Sequence, residues 1–544
     1  MSAQLEASSA LFDVIVIGGG IIGCGIARDA SLRGLKVALF EREDYGYGTS
    51  SRSTRLIHGG LRYLEMFDFG LVRQDLRERE ILLHLAPHRV KPLPFLLPFY
   101  NRSALYRSKL RVGMLLYDLL SFDKSLPNHK ILSREEVIDL EPGLNPNGLQ
   151  GGLLYYDAQV ALPERLCLEN ILDAQRNDAQ TFNHSEVTSL LRDSDNRVCG
   201  VEVQDRLTQQ KSQHRAKLVI NATGVWLDRL TQNWTPTPPA RLRLTKGIHF
   251  ASPNATKNAL VLFSEQDGRL LFVIPWLEYA WVGTTDTDFN ADLDTVHATH
   301  SEVAYLQATA QQAIPNADWK TIHFTNAGVR ALVRDIRLDA SESGVSRKHG
   351  LVIHPPNEDL HGVLSVLGGK LTAYRDIARE TVDTALSILQ PNSPPLNCTT
   401  HRAPLSGAET ANWEQFCLDF VRHPLVSQLD TEQRGNLLML YGTRALRLLE
   451  RCEQRPTERQ RFHASYPDIH AQLHFAIEEE QAQTLTDFLL RRTRLGFTRD
   501  QGLQALETIA TIMGTKLGWN AERKQNEIAH YRNLVDLTQK FRTP

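Results

Sequence analysis

The chain has 544 residues, 42% of them hydrophobic and 23% charged, with a formal net charge of −2. That length exceeds one hydrophobic core and implies about two or three domains, while the near-zero charge excludes a bulk attraction for nucleic acid. The six cysteines show neither C-x-x-C pairs nor Cys/His zinc spacing, so no metal or disulfide framework is expected, and no uncharged apolar run reaches the roughly 18 residues that suggest a membrane span.

The residues before Phe12 contain no Arg or Lys and no long apolar run, which argues against a secretory or transit signal. Residues 12–41 read as strand, glycine turn, helix, strand: Asp13-Val-Ile-Val-Ile17 is a buried parallel strand, 21–33 a helix ended by Gly34, and 36–40 the next strand. Residues 101–120 place Leu105, Val112, Leu115, Leu116 and Leu119 on one helical arc, with Leu110 and Met114 off it. Arg107 and Arg111 flank the arc on one side, Arg102 and Lys109 on the other, the pattern of a helix lying on an anionic membrane surface. The proline-rich stretch 87–98 precedes it. Strands follow at 188–191, 200–203 and 218–221, and 271–285 alternates apolar and polar residues as an antiparallel sheet with one wet or ligand-facing side. A buried strand returns at 362–369, followed by a helix at 372–389. Pro391-Asn-Ser-Pro-Pro395 is a linker, and the remainder reads as helical, either a packed accessory domain or a dimer surface.

The turn Gly18-x-Gly20-x-x-Gly23 lies between strand and helix. Its first glycine permits the tight turn, its second lets backbone approach pyrophosphate, and its third lets helix and strand pack closely. The helix N-terminus faces the phosphates, and Glu41, ending the next strand, suits ribose hydroxyls. This unit predicts dinucleotide binding without choosing between FAD and NAD. The glycines and hydroxyl residues of Gly48-Thr-Ser-Ser-Arg-Ser-Thr-Arg-Leu-Ile-His-Gly-Gly-Leu-Arg-Tyr63 line a long, extended cofactor.

Leu-Ile-His-Gly-Gly-Leu-Arg-Tyr-Leu-Glu (56–65) and Gly-Gly-Lys-Leu-Thr-Ala-Tyr-Arg (368–375), with 17–27, 49–65, 221–226, 244–249, 274–286, 328–330 and 367–375 in order, resemble the FAD-dependent glycerol-3-phosphate dehydrogenases. That family sits in a wider group with D-amino-acid and sarcosine oxidases. The resemblance implies an α/β, FAD-binding Rossmann-like fold with an antiparallel-sheet substrate domain and a C-terminal helical domain. It divides the chain into an FAD domain (12–95, 150–235 and 325–390), a substrate or cap domain (96–149 and 236–324) carrying the membrane-surface helix, and a helical domain (396–544). It implies FAD held by Gly18, Gly20, Gly23, Glu41, Thr49, Ser50, Ser51, Ala222, Thr223, Gly224, Gly368, Gly369, Leu371 and Thr372. The sequence departs from the family at Arg55, where Lys is expected, at Arg52 in a loop of small residues, and in a longer 334–347 segment.

The resemblance also places Arg62, Tyr63, Arg347 and Lys370 near a substrate phosphate and Arg330 near the reacting hydroxyl. These cations favour a dianionic substrate over a single carboxylate. Arg330, protonated at neutral pH, is read as stabilising a developing alkoxide, Lys370 as a further catalytic cation, and His58 as the proton acceptor. The implied reaction is hydride transfer from C2 of glycerol 3-phosphate to flavin N5, yielding dihydroxyacetone phosphate. Electrons then pass to membrane quinone, at the inner face of the cell membrane on the cytoplasmic side. An oxygen-using glycerol-3-phosphate oxidase and an amino-acid or amine oxidase remain alternatives.

Overall fold

The computed structural model describes residues 11–60, 67–101, 103–236, 240–334, 349–394 and 396–543, apart from the side chains of residues 104 and 106. Arg62, Tyr63, Arg102 and Arg347 lie outside the described residues.

The first turn folds as its glycines dictate. Strand Leu11–Ile17 runs into helix Ile21–Leu32 and returns as strand Val37–Phe40, parallel to the first. Gly34 ends the helix with φ +79°, a conformation glycine adopts at little cost. Leu11–Ile17 pairs on its other side with Lys211–Asn221, which pairs with Val363–Leu367, again in parallel. Edge strand Gly350–Ile353 joins antiparallel, and Gln180–Phe182 closes the far side of this eight-stranded sheet. Helix Tyr374–Leu389 starts slightly later than the sequence suggested, because residues 368–373 form the turn ahead of it.

A ten-stranded, mainly antiparallel sheet forms the second layer. It draws strands Leu56–Ile57, Val90–Tyr100, Leu149–Val160 and Phe324–Val333 as well as those between 242 and 288. The proline-rich 87–98 stretch is therefore mostly a strand. Its prolines Pro92, Pro94 and Pro98 stand opposite Ala158, Tyr156 and Gly152.

The hairpin Leu270–Trp276/Tyr279–Gly283 departs from the expected alternation of wet and dry sides. Trp276, Tyr279 and Trp281 are buried, with Phe497 of the C-terminal helical region edge-on to Trp276 at 5.4 Å. The wet or ligand-facing side expected from the pattern is covered at Trp276 by another part of the chain, while Phe272, Thr284 and Thr285 of the same segment line the main cavity.

Helix Ala104–Leu120 forms, and its two faces separate. Leu105, Val112, Leu115 and Leu119 are exposed, Leu105 at 82%, while Met114 and Tyr117 are buried. Leu116, placed on the outer arc by periodicity, is half-buried and packs on the core with Leu110.

The C-terminal helices are joined to the nucleotide-binding layer through buried charge. Asp44, just past strand Val37–Phe40, accepts from Arg492 Nη1 and Arg491 Nε, both at 2.7 Å. Asp487 in turn accepts from Arg491 at 2.9 Å and contacts His184 at 2.9 Å. Burial raises the Asp44 pKa, but the two guanidinium groups outweigh it and the net direction is downward. Removing one partner of a buried ion pair typically costs about 3–5 kcal/mol. Asp44→Ala leaves two buried arginines facing the gap. We expect its unfolding free energy, extrapolated from urea titration, to fall by an amount in that range; an unchanged value would exclude this cluster as the domain tie.

Candidate functional site

The two layers enclose a cavity of about 660 Å³, in the size range of cofactor sites. One end is the glycine turn. Gly18 has φ +103°, and a Cβ on Gly23 would lie 1.9 Å from Gly18 O, so helix and turn can approach only because that residue has no side chain. Gly19 N–H donates to Glu41 Oε2 at 2.6 Å and Glu43 N–H to Oε1 at 2.8 Å. Burial raises the Glu41 pKa against these bonds. Ser50 Oγ accepts the Ile21 N–H at 2.9 Å, tying the 49–52 turn to the start of the helix.

Of the cofactor residues expected from sequence, Gly18, Gly20, Glu41, Thr49, Ser50, Ala222, Thr223, Gly224, Gly368, Gly369, Leu371 and Thr372 line this cavity. Gly23 lies behind it as a packing residue. Ser51 lines a smaller neighbouring cavity of about 140 Å³ and donates to Tyr47 O and Gly48 O within its own loop. The lining therefore runs from the glycine turn and Glu41 to the Gly368–Thr372 turn.

His58, Arg330 and Lys370 line the same cavity. The His58 N–H donates to Thr372 Oγ1 at 3.1 Å, joining the two most distinctive sequence stretches. Arg330 is held from three sides: Nη2 to Thr284 Oγ1 at 2.8 Å, Nη1 to Asp286 Oδ1 at 3.1 Å, and both to Thr285 O at 3.2 Å. A Cβ on Gly247 would lie 2.2 Å from Arg330 Nη2, so the neighbouring strand must carry glycine for the guanidinium to cross it. Lys370 Nζ donates to Asp75 Oδ2 at 2.8 Å.

Several cavity residues were not anticipated from sequence: Asp75, His249, Arg269, Thr284 and Asp286. His249 stacks on Trp281 with rings 5.1 Å apart and 4° from parallel, and its Nε2 contacts Thr54 Oγ1 at 3.0 Å. Burial, then the charges of Arg330 and Arg55, drive its pKa well below the usual value, so the ring is neutral near pH 7. His249 and Asp286 end the stretches 244–249 and 274–286, which was the available signal; Asp75 lies in no such stretch.

Arg55, one of the sequence departures, is fully buried and binds Glu164 through both terminal nitrogens at 3.2 and 3.1 Å. Its guanidinium lies over Trp276 at 4.5 Å and Phe497 at 4.9 Å. A planar guanidinium can stack and fork at once, which an ammonium cannot.

Residues 13–375 match the family model of FAD dependent oxidoreductases, and residues 398–524 match the C-terminal domain of alpha-glycerophosphate oxidase. A Synechocystis sp. protein named glycerol-3-phosphate dehydrogenase is 39% identical over 98% of this chain and 97% of its own length. An aerobic glycerol-3-phosphate dehydrogenase of Staphylococcus haemolyticus is 33% identical over 96% of this chain and 94% of its own. A crystal structure of glycerol-3-phosphate dehydrogenase from Bacillus halodurans with FAD superposes with a TM-score of 0.80 at 28% identity, covering 98% of this chain and 96% of that one.

Gly23→Ala should purify with little or no bound flavin, because the added methyl meets backbone with no room to yield. Flavin released by denaturation and quantified by absorbance checks this; full occupancy would mean the turn can open.

Proposed function

The chain belongs to the FAD-dependent oxidoreductase family and takes FAD as its cofactor, and we propose that it oxidises sn-glycerol 3-phosphate to dihydroxyacetone phosphate, with membrane quinone as electron acceptor. The carrying observation is that Arg330, Lys370 and His58 line the same cavity as the glycine turn and the Gly368–Thr372 turn. The names of the full-length relatives point to the same substrate. FAD, which the glycine turn, Glu41 and the Gly368–Thr372 turn would hold, would supply the hydride acceptor. Lys370, steadied by Asp75, pairs with the phosphate. Arg330, fixed by Thr284, Thr285 and Asp286, lowers the energy of the alkoxide as the hydroxyl proton leaves. His58 takes that proton, and neutral His249 adds no competing charge beside Arg330. Arg62, Tyr63 and Arg347 complete the phosphate site in this reading.

Anaerobic glycerol 3-phosphate should bleach the flavin. Arg330→Lys should slow that bleaching in single-turnover mixing more than it raises the substrate Kd. Lys370→Ala should lower kcat/KM by about 10–150-fold, as expected for the loss of a charge-assisted bond of roughly 1.5–3 kcal/mol. No bleaching would sink the substrate assignment, and stoichiometric peroxide in air would replace quinone by oxygen.

Among the described residues no helix is long and apolar enough to cross a membrane. We place the meeting with quinone at the outer face of helix Ala104–Leu120, docked on the inner face of the cell membrane. Exposed Phe122 follows the end of this helix and lies under Arg73 of the neighbouring helix at 4.6 Å, and Phe67 and Phe69 at the start of that neighbouring helix are exposed as well. Lys109 and Arg111 are exposed beside the stripe. Replacing Arg107, Lys109 and Arg111 with Gln should release the protein from anionic vesicles while preserving activity with a soluble dye. Undiminished sedimentation with vesicles would refute this docking face.

A further inference from the structure

Asp75 sits on helix Phe69–Leu85 with its side chain 1% exposed, yet it lines the main cavity beside Lys370 and His58. The two oxygens of its carboxylate have different fates. Oδ2 accepts from Lys370 Nζ at 2.8 Å, whereas Oδ1 is buried with no hydrogen-bond partner among the described residues.

Glu80 Oε2, on the same helix, also lacks a partner among the described residues but does not line the cavity, and two other nearby acids are satisfied. Glu78, on the same helix, binds Arg375 through both oxygens. Asp157 accepts from Arg79, Tyr117 and the Gly59 N–H. A buried acceptor left without a donor costs about 1–3 kcal/mol and calls for a specific explanation. Asp75 lines the main cavity, so a bound molecule that reaches this oxygen is the available donor.

Chemistry narrows that molecule. A phosphate dianion offers acceptors and repels a carboxylate, whereas an alcohol hydroxyl offers a proton. The proposed substrate carries two kinds of hydroxyl. The reacting one at C2 belongs beside Arg330, which leaves the primary hydroxyl at C1. An ammonium has three donors, so Lys370 can hold Asp75 with one and still serve a phosphate.

We propose that Asp75 is a substrate-binding residue: Oδ1 accepts a hydrogen bond from the primary hydroxyl of the polyol phosphate while Oδ2 orients Lys370. Asp75 then selects phosphate esters bearing that further hydroxyl, an assignment that rests on the substrate reading above.

The test compares glycerol 3-phosphate with 2-hydroxypropyl phosphate, which keeps the phosphate and the reacting alcohol but lacks the primary hydroxyl. The parent holoenzyme should prefer glycerol 3-phosphate by about 10–150-fold in kcat/KM, the range for a hydrogen bond to a charged group. In Asp75→Ala this preference should collapse to within about threefold of unity. In Asp75→Asn, which preserves volume and guards against a folding failure of the alanine variant, it should fall by about tenfold or more. Equal losses for both compounds, with the preference intact, would show that Asp75 only positions Lys370 and would overturn the assignment. A shifted flavin absorbance in the ligand-free variants with the preference intact would place the open oxygen against the cofactor and overturn it as well. A parent that oxidises neither compound would refute the substrate reading together with this inference, an outcome distinct from turnover with an unaltered preference.

Discussion

The buried carboxylate of Asp44 is the constraint on which the arrangement depends. It follows strand Val37–Phe40 and Glu41, so it belongs to the loop that walls the glycine-turn end of the cavity. Its partners, Arg491 and Arg492, come from the far end of the chain. Arg492 also donates to Glu480 O, and the Glu480 side chain binds Arg165 and Arg444 at 2.6 and 2.7 Å. The charges of Arg165 and Arg444 overcome burial and bring the Glu480 pKa down to about 2. Such a network tolerates little displacement, because each ion would lose its partner in a region without water to replace it.

Absent side chains shape the reacting end as strongly as present ones. Gly247 leaves room for Arg330, and a Cβ on Gly283 would lie 2.2 Å from His249 Cδ2. The strands of the antiparallel sheet thus carry functional groups across neighbouring backbone, which only glycine at the crossing permits. Asp286 connects this to the cavity's outer wall, because it holds Arg330 and also lies 3.5 Å from Arg269. Arg330 itself sits on strand Phe324–Val333, and its partners Thr284, Thr285 and Asp286 form the short connection between strands Tyr279–Gly283 and Thr287–Asp288.

The amphipathic helix is joined to the same site from the opposite side. Tyr117, on its buried face, donates to both oxygens of Asp157 at 2.9 Å and accepts the Gly59 N–H at 3.1 Å. Gly59 is the residue after His58. One helix therefore presents an apolar stripe outward and braces the flavin loop inward, so the surface proposed to meet lipid and the loop proposed to take the proton share a rigid element.

Much of this was written locally in the sequence. The glycine turn, the first strand–helix–strand and the helix at 104–120 follow from spacing and short-range sterics, which neighbouring residues determine by themselves, whereas the stretches that carry Arg330 and Lys370 were legible only through their resemblance to a known family. Periodicity also separated Leu105, Val112, Leu115 and Leu119 from the core side of their helix, missing only Leu116, whose burial depends on what packs beside it. Tertiary structure decided the pairings: Asp75 with Lys370 across 295 residues, Arg55 with Glu164 across 109, and Asp44 with Arg492 across 448. Among 61 Lys and Arg and 63 Asp and Glu, the sequence marks no charge as the partner of another. The choice is made when desolvation penalises every buried charge that lacks its counter-ion, and when distant elements such as Phe497 arrive to cover a face that the local pattern left open to water.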